Sequence, residues 1–109
     1  MAHIVLYYHI VWRTKHNKLA ITEAYARELY AYILGFCENR NCKLIRIGGV
    51  ADHIHMLVCI RPNITVSEFM QVLKTETSKW MKAKTDKFPM FDGWSNGYAA
   101  FTYSNEIKK

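Results

Sequence analysis

Val50-Ala51-Asp52-His53-Ile54-His55-Met56-Leu57-Val58-Cys59-Ile60 reads as a buried strand. Side chains alternate between the faces of a strand, so residues two apart point the same way, ~6.6 Å apart along its axis. Ile54, Met56, Val58 and Ile60 form one face, suited to packing on helices. His53, His55, Leu57 and Cys59 look the other way. Two imidazoles converging from one rigid strand make half of a metal site.

Upstream, Ile4 to Trp12 is almost wholly β-branched or aromatic, which predicts a first strand. Its even positions (Ile4, Leu6, Tyr8, Ile10, Trp12) are the more apolar set. Val5, Tyr7, His9, Val11 and Arg13 mix apolar with polar groups. Thr22 with Glu23 opens a helix in which Tyr25, Leu29, Tyr32, Ile33 and Phe36 recur at helical spacing, ending near Asn39–Asn41. Lys43 to Ile47 is a second strand, and Gly48-Gly49 turns or bulges into the histidine strand, which Pro62-Asn63 breaks. Thr65-Val66-Ser67-Glu68 is a capping box, in which threonine and glutamate satisfy each other's orphan backbone donors. The helix it opens carries Val66, Phe69, Met70, Leu73, Thr77, Trp80 and Met81 on one stripe, and Lys74, Ser78 and Lys82 on another. Phe88-Pro89 ends that element, Trp94-Ser95-Asn96-Gly97 is a turn, and Tyr98 to Tyr103 is a last strand.

The order β-α-β-β-α-β predicts an α+β, ferredoxin-like fold, a four-stranded antiparallel sheet with both helices on one face. First and third strands are then central neighbours, and Tyr7 and His9 share the histidine face. The 109 residues amount to one domain, 1–109. Half of them are hydrophobic and 22% charged, a balance that favours folding over disorder. Fifteen basic against nine acidic residues give a formal charge of +6, which suits polyanionic partners such as nucleic acid. No apolar run reaches the ~18 residues a membrane span requires, and no signal peptide is visible. Cys37, Cys42 and Cys59 lack disulfide-framework or metal-ligand spacing and read as reduced core residues of a cytoplasmic protein.

Two neutral imidazoles bring lone pairs but no charge, so His53 and His55 need a further ligand or an anionic substrate. Imidazole suits manganese, zinc, cobalt or iron, and phosphate oxygens with waters make a harder ion acceptable. The bland alternative is a pair of hydrogen-bonded structural histidines. Lys74, Lys79 and Lys82, extended by Arg13 and Lys15, form either a DNA-binding face or a solvated one. Trp94 either stacks on an unpaired base or packs beneath the last strand. Trp80 reads as core, His3 and His16 as surface, and His9 as a neighbour or substitute ligand of the metal.

Asp52-His53-Ile54-His55-Met56-Leu57-Val58 on a central strand, a Lys/Ser/Thr-rich helix after it, Trp94-Ser95-Asn96-Gly97-Tyr98 entering the final strand, and the opening His9-Ile10-Val11-Trp12-Arg13-Thr14-Lys15 together resemble one family. It is that of the small single-tyrosine HUH transposases, which move insertion sequences as single-stranded DNA and include relatives associated with repeated extragenic palindromes. The likeness runs from about Tyr7 to Tyr103. It implies nicking and strand transfer, with a divalent ion (magnesium or manganese) on His53 and His55 polarising the scissile phosphate. It also implies single-stranded or hairpin DNA as partner, a covalent tyrosine link that conserves the phosphodiester's energy, and a homodimer that exchanges helices.

One departure stands out. The family's nucleophile lies on a helix after the last strand, a tyrosine followed four residues later by a glutamine that is the third metal ligand. Here the sequence reads Phe101-Thr102-Tyr103-Ser104-Asn105-Glu106-Ile107-Lys108-Lys109. No catalytic residue is therefore assigned, and the expectation is a domain truncated before its catalytic helix. Tyr98 and Tyr103 belong to the last strand. Tyr7 shares the metal face, but a strand tyrosine lacks the mobility needed to carry a covalent DNA end. Without that helix, Val5, Tyr7, Val11, Leu57 and Cys59 lack a lid, which favours a dimer, for instance by edge pairing of the final strands. Three readings remain: a DNA transposase domain, a non-catalytic DNA-binding regulator of transposition, and an unrelated metal-dependent hydrolase.

Overall fold

A computed structural model of the chain describes residues 6–104. Strand β1 is Leu6–Arg13, helix α1 Ala26–Asn39, β2 Lys43–Val50, β3 His53–Cys59, α2 Val66–Lys82 and β4 Ala99–Ser104. The four strands pair antiparallel in the order β2-β3-β1-β4, which is the ferredoxin-like arrangement. His3, Ile4, Val5 and residues 105–109 lie outside the described residues.

Both helices cover one face. Ile10 and Trp12 of β1 and Ile54, Met56 and Val58 of β3 are buried in one cluster with Leu29 and Ile33 of α1 and Phe69, Met70 and Leu73 of α2. Full burial of such side chains stabilises by ~1.5–3 kcal/mol each, so this layer holds the sheet flat against the helices. The capping box at the start of α2 is formed as expected. The Glu68 amide donates to Thr65 Oγ1 at 3.0 Å and the Thr65 amide to Glu68 Oε1 at 3.2 Å.

Several element boundaries differ from the sequence reading. Strand β2 continues through Gly48-Gly49 to Val50, and the chain reverses at Ala51-Asp52. The irregularity falls at Ile45 instead, where the register with β3 shifts between Leu44 and Arg46. Gly49 is needed in that strand because a Cβ there would lie 2.3 Å from the His53 carbonyl oxygen. The first helix begins at Ala26, after a 3-10 turn over Glu23–Tyr25. The Thr22 hydroxyl caps no amide; it donates to the Lys87 carbonyl across the fold.

Candidate metal and nucleic-acid site

The helix-free face of the sheet carries the histidines. The side chains of β3 alternate, with Ile54, Met56 and Val58 buried and His53, His55, Leu57 and Cys59 half-buried. The register sets out cross-strand rows on that face. Val50, His53 and Arg13 form one, Gly48, His55 and Val11 the next, and Arg46, Leu57 and His9 a third. His9 is exposed, and its ring stands edge-on to that of His55 with centroids 6.3 Å apart. Gly48 makes room for the His55 imidazole, since a Cβ there would sit 3.2 Å from Cε1 and 3.4 Å from Nε2.

Asp52 was not singled out in the sequence, yet its carboxylate lies 2.9 Å from Nδ1 of His53. A carboxylate holding Nδ1–H fixes the ring's orientation and leaves the Nε2 lone pair for a cation. The hydrogen bond from His53 holds the Asp52 carboxyl below the ordinary carboxylate range, and Arg13, 4.0 Å away, adds to this. The Asp52 main chain is anchored too, its carbonyl accepting from the Thr14 amide at 3.0 Å. His53 and His55 thus offer two imidazole nitrogens from one face of β3, donors of a type that a divalent ion would accept. Among the described residues no group of three or more His, Cys, Asp and Glu side chains is placed to hold such an ion.

A second feature lies around the end of β1. A cavity of about 390 Å³ opens between α2 and residues 92–96, lined in part by Lys15, Lys74, Lys79, Lys82 and Trp94. Four of the five expected DNA-binding cations therefore meet in one place, and Arg13 stands apart from them on the histidine face. Lys15 and Lys82 converge on Gly93, whose φ of +126° requires glycine. Lys74 has a further task, because its ammonium donates to the carbonyls of Ser95 (2.7 Å) and Gly97 (2.9 Å). Burial at that position lowers the Lys74 pKa from its ordinary value.

The turn is stitched on its other side to β1, through Lys15 N–H to Gly93 O (2.9 Å) and Ser95 N–H to Arg13 O (2.9 Å). Trp94 packs rather than standing free. Its ring lies edge-on to Trp12 and Phe91, and its Nε1–H donates to the buried Thr77 hydroxyl at 2.9 Å. Trp80 is only partly buried; it stacks on Tyr32 with centroids 4.8 Å apart. Thr14 joins the two features, since it bridges to Trp94 and its amide binds the Asp52 carbonyl.

A ferredoxin-like sheet presenting a histidine-hydrophobic-histidine pair on its open face, beside a lysine-lined cleft, has the build of the single-tyrosine HUH transposases. Residues 2–109 match the family model described as "Transposase IS200 like". The chain is 30% identical over 106 residues to the transposase for insertion sequence element IS200 of Salmonella typhimurium, with 94% of this chain and 70% of that protein covered. The Salmonella typhi protein of the same description matches to the same extent. Among solved structures, a crystal structure assigned as a transposase from Deinococcus radiodurans superposes with a TM-score of 0.80 at 20% identity, covering 99% of this chain and 85% of that one. A REP-associated tyrosine transposase bound to a REP hairpin superposes with a TM-score of 0.62 at 9% identity, covering 94% of this chain and 60% of that one. The two structural likenesses establish the fold. The sequence matches establish the family: this chain belongs to the IS200-like transposases.

Among the described residues no helix is long and apolar enough to cross a membrane.

Proposed function

We propose that the chain binds single-stranded or hairpin DNA at two linked places. The histidine face takes a phosphodiester through a divalent ion, magnesium or manganese, held by His53 and His55. The cleft of Lys15, Lys79 and Lys82 takes the flanking backbone, with Lys74 shaping its wall, while Arg13 adds charge on the histidine face opposite His53. The observation that carries this reading is the Asp52–His53 hydrogen bond of 2.9 Å, which presents an oriented imidazole on an open face beside a second one. When bound, the ion would supply Lewis-acid polarisation of the phosphate for nicking and strand transfer. Asp52 keeps the His53 tautomer, Gly48 leaves the His55 ring its space, and the lysines neutralise the incoming strand.

The hairpin-bound relative supports DNA as the partner. We further propose a homodimer that pairs the outer edges of β4, the strand at one end of the sheet order. Light scattering at tens of micromolar reads this directly, and a monomer there contradicts it.

A gel-shift and nicking assay on a hairpin-flanked oligonucleotide with manganese tests the function. A covalent adduct establishes a strand transferase, and peptide mapping then locates its nucleophile. A shift without adduct supports a non-catalytic regulator of transposition. No shift at low salt overturns the DNA reading.

A further inference from the structure

The geometry points to a nucleotide-binding row across the open sheet, in which Arg46 and His9 grip a DNA phosphate and Phe101 stacks an unpaired base. This rests on the reading of the histidine face as the DNA face and adds residues that reading does not use.

The row is built by the β-bulge. In unbroken register with Leu44 opposite Val58, Arg46 would face Met56 and point at the helices. The shift between Leu44 and Arg46 places it opposite Leu57 instead, on the histidine face. Bulges of this kind re-aim side chains beside active sites. Leu57 in turn lies opposite His9, and His9 opposite Phe101. Arg46, His9 and Phe101 thus line up across all four strands, one row from His55.

The chemistry of the row fits a single strand. A hollow of about 160 Å³ is lined by His9, Arg46, His55, Met56 and Leu57, with no carboxylate in its wall. Among the described residues Arg46 forms no ion pair, and Asp52, the acid of this face, is occupied by His53 and Arg13. A guanidinium fork matches two phosphate oxygens, and a cation held by His53 and His55 would add positive charge that only an anion relieves. Phe101, 63% exposed at the far end of the row, offers an aromatic face at a strand position that the neighbouring His9 leaves open. A paired base is already stacked, so this platform selects unpaired nucleotides.

Fluorescence anisotropy of a labelled oligothymidylate titrated with the full chain, over a series of salt concentrations, tests the row. Arg46→Gln is expected to flatten the slope of log K against log[salt] by ~0.7, one phosphate's worth on a single strand. Arg46→Lys should keep the slope, so that the change in Arg46→Gln reads as loss of the charge and not of the side chain's shape. Phe101→Ala should weaken binding about tenfold with the slope unchanged, since stacking is not a charge effect. Manganese affinity should stay at the wild-type value in every variant. If wild type binds and Arg46→Gln keeps its slope while Phe101→Ala keeps its affinity, the row is overturned and the DNA reading survives. Wild type that does not bind overturns both.

Discussion

Lys74 sits on the polar face of α2, where a solvated lysine contributes almost nothing to stability, yet its ammonium bridges the carbonyls of Ser95 and Gly97 at 2.7 and 2.9 Å. Hydrogen bonds from a charged donor contribute ~1.5–3 kcal/mol each. Part of that is offset by desolvation of the ammonium, the same burial that lowers its pKa, and two carbonyls near the surface regain some water when the lysine is lost. Lys74→Met, which keeps the apolar stem, should therefore destabilise the domain by about 2 kcal/mol. For a domain near this size that is roughly 8–16 °C in Tm. Urea denaturation should show a lower midpoint at unchanged slope. Lys79→Met, from the same cleft but exposed, is the control and should stay within ~0.5 kcal/mol of wild type. Equal shifts for the two variants refute Lys74 as a strut of the 94–97 turn.

Three further outcomes follow from the geometry. Thr77→Val keeps the shape of a fully buried side chain but removes the acceptor for Trp94 Nε1–H, and should cost about 1–3 kcal/mol by thermal or chemical unfolding. Burial pushes the Cys37 thiol up to about 12, so at pH 8 its thiolate fraction is ~10⁻⁴ against roughly a quarter for an ordinary thiol. A chromogenic disulfide should label it about a thousandfold more slowly in the native chain than in urea. Because this pKa is raised on folding, its contribution to stability is whole below the ordinary thiol pKa and is lost as pH climbs towards 12. Gly48→Val, whose Cβ would press on the His55 ring, should weaken manganese binding measured by calorimetry more than it lowers Tm.

The architecture was legible because its signals are local. Period-two alternation in β3, the Thr65–Glu68 capping box and the apolar stripe of α2 each follow from neighbours a few residues apart. The two histidines were legible for the same reason. What the sequence hid depends on partners far along the chain. Lys74 looks like any solvated lysine until the turn 21 and 23 residues later folds back onto it. The bulge at Ile45 has no glycine to announce it, so Arg46 could not be placed on the histidine face. Gly48-Gly49 suggested the turn instead, whereas these glycines serve close packing against β3. Asp52 offered a signal that went unused, since an acid adjoining a candidate ligand histidine can set its tautomer. Trp94 was balanced between stacking on DNA and packing, and its bond to Thr77 joins two segments that only tertiary structure brings together.

The proposed function depends on whether the two imidazoles of β3 hold a cation. Calorimetric titration of manganese into the chain should give one site, lost in His53→Ala and in His55→Ala and weakened roughly 10–100-fold in Asp52→Ala, all with wild-type circular dichroism. Wild-type affinity in either histidine variant contradicts it.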